Sequence, residues 1–217
     1  MTDAANMRRN YDGGELSETT IAADWLTQLQ RWFDVAVGDP RVYEPNAVQL
    51  ATVAADGHPS VRTVLVKAID ERGVVFYTGH ASAKGRDLAL NRWAAVVFTW
   101  LPLERQVRLS GPTEQVSRAE TAAYFATRPR GSQVAAWASP QSDIVASRGV
   151  LQRLFDQAEA RFAQAPVPLP PDWGGYLLRP TEVEFWQGRE DRLHDRLRFR
   201  RSGSESDLHW LLERLAS

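Results

Sequence analysis

Residues 47–79, AVQLATVAADGHPSVRTVLVKAIDERGVVFYTG, decide the fold. AVQLATV (47–53), VRTVLVKAID (61–70) and VVFYTG (74–79) are short runs rich in β-branched residues, separated by ADGHP and ERG. Such runs bounded by Gly, Pro and Asp predict strands joined by tight turns, so the segment reads as an antiparallel meander. Downstream, AAVVFTWL (94–101) and RQVRLSGPTEQV (105–116) read as further strands, and Gly111-Pro112 predicts a bulge or kink in the second. YLLRPTEVEFW (176–186) and residues 192–200 complete the sheet.

The remaining segments read as peripheral helices and connectors. In DWLTQLQRWFDVAV (24–37), Trp25, Leu29, Trp32, Phe33 and Val37 fall at helical spacing, with Asp24 as N-cap and Gly38 as stop. A short helix is predicted over 83–91. Ser117-Arg118-Ala119-Glu120 is a capping-box pattern opening a helix that Pro129 stops. Further helices are expected around 131–138 and 147–164. PVPLPPDW (166–173) is a stiff, polyproline-like connector, and SGSESD (202–207) a flexible turn before a short tail, LHWLLERL. Strand–helix alternation is missing, so the prediction is a mainly β (α+β), barrel-like core and not a doubly wound sheet. Residues 1–20 are polar and expected to be mobile; 21–217 are expected to form one domain.

Composition narrows the chemistry. The 217 residues carry a formal net charge of −1, which argues against nucleic-acid binding through bulk positive charge. There is no cysteine, which excludes disulfides, thiol nucleophiles and zinc–cysteine sites. His58, His80, His194 and His209 lack metal-ligand spacing, and no metal site is expected. No apolar run reaches membrane-spanning length and no apolar signal core is present near residue 1, so the expected compartment is the cytoplasm.

Four stretches carry chemical content. In WQGREDRLHDRLRFR (186–200), a strand reading places Arg192, His194, Arg196, Arg198 and Arg200 on one face. That face suits a flat anionic ligand, and it equally suits an edge strand charged against aggregation. Within VRTVLVK (61–67), Arg62 and Lys67 are cations in an apolar strand but differ in parity, so the strand is bulged or the two serve different groups. FYTGHASAKG (76–85) offers a helix N-terminus with Ser82 and Lys84, either a phosphate site or a plain capped helix. In AAYFATRPRGSQ (122–133), Tyr124 and Arg128 share a helix face and Ser132 could cap the next helix. Together they suit a phosphate dianion, or arginines complementing a helix C-terminus.

RRNY, EPNAVQLATV, VRTVLVK, FYT with S-x-K, LERQV, YFATRPRGSQ, SPQS, WGGY and EFWQG…RLHDR occur in that order. The series resembles the pyridoxine (pyridoxamine) 5′-phosphate oxidase family from about residue 8 onward. The resemblance implies an FMN-binding split β-barrel, a homodimer with its sites at the subunit interface, and no role for membranes or nucleic acid. It implies oxidation of pyridoxamine or pyridoxine 5′-phosphate to pyridoxal 5′-phosphate, with O2 consumed and H2O2 released. By the same resemblance, Arg62 and Lys84, with Gln141 and Ser142, match FMN phosphate and ribityl contacts. Thr63, Val64, Leu65, Val66 and Lys67, with Tyr77 and Thr78, would line the flavin. Gln106, Trp186 and Arg196 match positions around its ring, with Arg196 the cation near N1/O2. Lys67, Tyr124, Arg128 and Ser132 match the substrate-phosphate grip. Arg192 and His194 match the pair over the pyridine ring, His194 acting as a base or only as a holder. Arg8, Arg9 and Tyr11 resemble a segment that covers the site. Ala83 stands where many members carry arginine, and His80 either compensates or is an uninvolved loop residue.

Overall fold

A computed structural model describes residues 7, 10–203, 207 and 209–217. Six strands close an antiparallel barrel: β1 (Ala47–Val53), β2 (Pro59–Asp70), β3 (Gly73–Gly79), β4 (Trp93–Trp100), β5 (Arg105–Gln115) and β6 (Trp173–Leu178). They run in the order β4-β1-β2-β3-β6-β5, and β5 pairs back onto β4 to complete the ring. Outside the ring, β7 (Glu182–Gln187), β8 (Asp195–Ser202) and β9 (His209–Arg214) extend the sheet from β5. Strand interiors alternate as their period-two pattern requires; β1, for example, buries Val48, Leu50 and Thr52.

The barrel splits along β5. Its first half, Arg105–Ser110, pairs with β7, and its last residues, Thr113–Gln115, pair with β6. The switch falls at Gly111, where a Cβ would lie 2.0 Å from the carbonyl oxygen of Arg179, so only glycine admits this crossing. The stretch 176–186, predicted as one strand, is therefore two. Pro180 cannot donate to a ladder, and Arg179–Thr181 crosses from one sheet to the other.

Two further expectations are corrected. Strand β8 starts at Asp195; Asp191 and Arg192 sit in the left-handed region at φ 53° and 62°, so Arg192 and His194 do not belong to the alternating face. The supposed tail 209–214 is an edge strand on β8.

Helix α1 (Trp25–Gly38), capped by Asp24, lays Trp25, Leu29, Trp32 and Ala36 on the barrel core. Helix α2 (Ala83–Leu90) is capped by Ser82 and α3 (Arg118–Thr127) by Ser117. The reciprocal half of the expected capping box is missing, because the Glu120 carboxylate pairs with Arg72 at 3.1 Å. Helices α4 (Arg130–Ala138) and α5 (Arg148–Arg161) join α3 around a second cluster of Phe125, Val134, Phe162, Val167 and Trp173. Of the segment expected to be mobile, residues 13–18 are tied to the sheet: Gly13 N–H donates to Glu104, Leu16 N–H to Asp195, and Glu18 pairs with Arg214.

The proline-rich connector is clamped from α3. Arg118 donates to the carbonyls of Leu169 (3.1 Å), Pro170 (2.7 Å) and Trp173 (2.9 Å), and Trp137 Nε1 donates to Pro168 O (2.7 Å). Arg118→Ala should lower unfolding stability by about 1–2 kcal/mol, read as a shifted denaturant midpoint. Arg118→Lys should recover little, since an ammonium cannot span three carbonyls in the guanidinium plane.

Candidate functional site

Four cationic side chains converge on a cavity of about 660 Å³ between β2, β3, α2 and the α3–α4 junction. Arg62, Lys67, Lys84 and Arg128 line it, and no carboxylate among the described residues does. The parity conflict between Arg62 and Lys67 is settled by a β-bulge: Val66 pairs with Phe76 and Ala68 with Val75, leaving Lys67 extra on β2. Both cations thus reach one cavity. Val66 does not; its side chain is in the barrel core and its backbone groups bond Asn46.

Each cation is held differently. Arg62 donates to Thr52 Oγ1 and lies 3.7 Å from Asp87. Lys84 is only 7% exposed, and its sole hydrogen-bond partner among the described residues is neutral, Thr78 Oγ1 at 3.2 Å. Burial, reinforced by nearby Arg62, pushes its pKa down. Gln141 Oε1 accepts from Thr78 Oγ1 (3.0 Å) and Gly79 N–H (3.2 Å), which fixes that amide at the cavity wall. Ser142, at φ 76°, is exposed and lines neither this cavity nor the next ones described.

Arg128 sits at the end of α3 with its guanidinium 4.6 Å over the Trp173 ring. Its Nη1 is a buried side-chain polar atom without a partner among the described residues. An orphaned guanidinium nitrogen beside a cationic cavity fits an anion that completes its bonding. Tyr77 and Tyr124 stack at 4.0 Å, and Trp173 continues the stack 5.5 Å from Tyr77. Burial pushes the Tyr77 phenol up to about 12 and raises that of Tyr124, so both remain O–H donors at neutral pH. Ser132 lines the cavity from the first turn of α4, but it caps nothing; the N-cap is Pro129.

The other expected residues gather elsewhere. Gln106, Trp186 and Arg196 are direct cross-strand neighbours on β5, β7 and β8. They border a cavity of about 290 Å³ with His194, and a neighbouring one of about 430 Å³ adds Tyr11, Arg189 and Arg192. His194 lies between Trp186 (4.6 Å) and Tyr11 (5.5 Å). Arg196 is not a free cation: Nε donates to Glu184 (2.8 Å) and Nη1 to Ala216 O (2.8 Å). Arg198 and Arg200 pair with Glu213, and Arg198 also with Glu182, so this part of the cationic face becomes an ion-pair ladder. Arg8 and Arg9 lie outside the described residues. His80 lines none of these three cavities, and its Nδ1 lies 3.2 Å from Tyr176 Oη.

His194 Nδ1 accepts the Arg189 N–H at 3.1 Å, which leaves the proton of the neutral ring on Nε2. Burial and then Arg192 lower its pKa, so the cation is disfavoured in the fold. Stability is therefore lost as pH falls from the ordinary 6.5 through the depressed value. His80, also lowered by burial, acts in the same direction. Thermal midpoints between about pH 5 and 7 should fall with acid, and His194→Asn should flatten that dependence in part.

Three site residues escaped the sequence reading. Glu184 shares the parity of Trp186 and could have been placed on its face. Arg108 shares that of Gln106. Trp173 opens the WGGY segment, but its role as a platform for Arg128 was not legible, because it depends on where β6 lies relative to α3.

Two family models match the chain: pyridoxamine 5′-phosphate oxidase over residues 39–162, and the pyridoxine 5′-phosphate oxidase C-terminal dimerisation region over residues 173–217. The pyridoxine/pyridoxamine 5′-phosphate oxidase of Saccharopolyspora erythraea is 54% identical over 97% of this chain and 94% of its own length. That of Salinibacter ruber is 51% identical, with both chains covered in full. Among solved structures, PhzG from Burkholderia lata, bound to tetrahydrophenazine-1-carboxylic acid, superposes with a TM-score of 0.86 at 33% identity, covering 96% of this chain and all of that one. A pyridoxamine 5′-phosphate oxidase-related, FMN binding protein from Nostoc punctiforme shares the fold at TM-score 0.71 and 18% identity, over 90% of this chain and 98% of its own.

Proposed function

Because the chain belongs to the pyridoxamine 5′-phosphate oxidase family, we propose that it oxidises pyridoxamine and pyridoxine 5′-phosphates to pyridoxal 5′-phosphate, with FMN as cofactor and O2 as oxidant. The observation that carries this reading is the cavity with four cations and no carboxylate, which suits two phosphate groups. Lys84 and Arg62, with Gln141 beside them, hold the FMN phosphate and ribityl chain, and Thr63 to Leu65 line the flavin. Lys67, Tyr124, Arg128 and Ser132 grip the substrate phosphate. FMN held there would supply a two-electron acceptor for oxidation of the exocyclic carbon, with O2 reduced to H2O2; for the amine substrate, water would enter and ammonia leave to give the aldehyde.

Much of the rate comes from position. Anchoring the phosphate end fixes the reacting carbon, and alignment of this kind removes about 7–11 kcal/mol of entropic barrier at best. Gln106, Trp186 and Arg196 open to a different cavity from the phosphate grip. A homodimer joins them by setting one chain's phosphate cavity against the other chain's row of three. Their position within the dimerisation-region match supports that arrangement for Trp186 and Arg196. Arg192 and His194 then lie over the substrate ring, His194 presenting Nε2–H as a donor and not as a base. Work in the cytoplasm accords with the absence, among the described residues, of a helix long and apolar enough to cross a membrane.

The test is direct. The purified protein is supplied with FMN, then mixed with pyridoxamine 5′-phosphate under air, and pyridoxal 5′-phosphate and peroxide are followed. Both products should form in equal amounts. A flavin-loaded protein that this substrate fails to reduce anaerobically would point to a different substrate on the same barrel.

A further inference from the structure

We propose that Glu184 is a positioning residue that fixes Arg196 and, together with Arg108, sets the net charge facing the bound flavin. The inference rests on the reading above, in which Gln106, Trp186 and Arg196 surround the flavin ring.

Glu184 projects from β7 with its side chain 7% exposed, and its carboxylate bridges two strands. Oε2 accepts from Arg108 on β5 at 2.6 Å and Oε1 from Arg196 Nε on β8 at 2.8 Å. Register accounts for the first contact, because Arg108 lies directly opposite Glu184, but not for the second. Directly opposite Glu184 on β8 is Arg198, which turns instead to Glu213 (2.7 Å) and Glu182 (3.4 Å). Glu184 thereby takes the diagonal arginine. With Nη1 on Ala216 O, Arg196 has two nitrogens committed and Nη2 left for a ligand. A buried carboxylate so placed is an electrostatic part of the site and not a surface pair.

Charge counting gives the consequence. Two guanidiniums and one carboxylate present one net positive charge. Glutamine at 184 keeps an oxygen acceptor but removes the negative charge, leaving two positive charges next to the ring. Glutamine at 108 removes one cation and leaves the carboxylate entirely to Arg196, for a net charge of zero. The flavin gains negative charge on reduction, so nearby positive charge favours the reduced form.

The experiment is an equilibrium redox titration of the flavin in the FMN-loaded protein against a reference dye, for wild type, Glu184→Gln and Arg108→Gln. The midpoint should move positive in the first variant and negative in the second, with one FMN retained per chain in both. Unchanged midpoints, or shifts of the same sign, overturn the proposal; a general loosening of the site cannot produce opposite signs. Failure of the wild-type protein to take up FMN would instead remove the functional reading on which it rests.

Discussion

Arg128→Ala should lower kcat/KM for the phosphorylated substrate by on the order of 10³-fold, with FMN still bound. Two charge-assisted bonds to a phosphate at about 2 kcal/mol each give about 4 kcal/mol, and each 1.36 kcal/mol is tenfold. The geometry supports the full effect: Trp173 already holds the guanidinium, so little ordering remains to offset the gain. The same residue is a burden to the free protein. Burial lowers the Arg128 pKa and leaves Nη1 without a partner. Arg128→Met should therefore unfold no earlier than wild type, although it loses the substrate. Steady-state kinetics and thermal unfolding on the same preparations check both halves. Turnover of pyridoxamine lacking the phosphate should barely respond, and an equal loss for both substrates would reject phosphate recognition as the role.

Lys84→Met should weaken FMN binding by on the order of 10²-fold, equivalent to about 3 kcal/mol for a buried ammonium–phosphate contact. Its pH dependence has a defined sign. Burial, then Arg62, holds the Lys84 pKa below its ordinary 10.5, so the folded apo protein bears a penalty for the cation. That penalty is complete below the folded pKa and is relieved as pH rises through it toward 10.5, so apo stability increases across that window. FMN binding runs the other way, because the phosphate pairs with the ammonium form, and affinity declines over the same interval. Lys84→Met should remove both trends. Flavin-fluorescence titrations and apo thermal melts across a pH series measure them.

Much of the barrel was legible because its strands are short, β-branched and bounded by turn residues. The bulge at Lys67 was half legible: parity posed the conflict with Arg62, and the register supplies the answer. The break at Arg179–Thr181 was missed, because a single proline in an apolar run looks like an edge position until the neighbouring strand is known. The run Arg192–Arg200 misled for a related reason. Its carboxylate partners, Glu182, Glu184 and Glu213, lie on adjacent strands, so the sequence of β8 alone displays charge that the sheet has already neutralised. Left-handed backbone at Asp191 and Arg192 carries no glycine to announce it. Where four cations converge on one cavity, the sequence offered separate motifs, and only folding shows that they share one space.

The crossing of β5 from one neighbour to another makes chain length itself a constraint. From Gln106 to Arg128 there is strand, a capping serine and helix, with no slack between. One inserted residue in the strand turns every later side chain to the opposite face. One inserted in α3 rotates Tyr124 and Arg128 by about 100° away from the cavity. Apart from Gly111, substitutions in this span are graded in their effect, whereas an insertion or deletion must be absorbed by a bulge or a distorted helix turn to keep the cavity together. The exposed turn between β1 and β2, residues 54–58, is where the chain can change length at little cost.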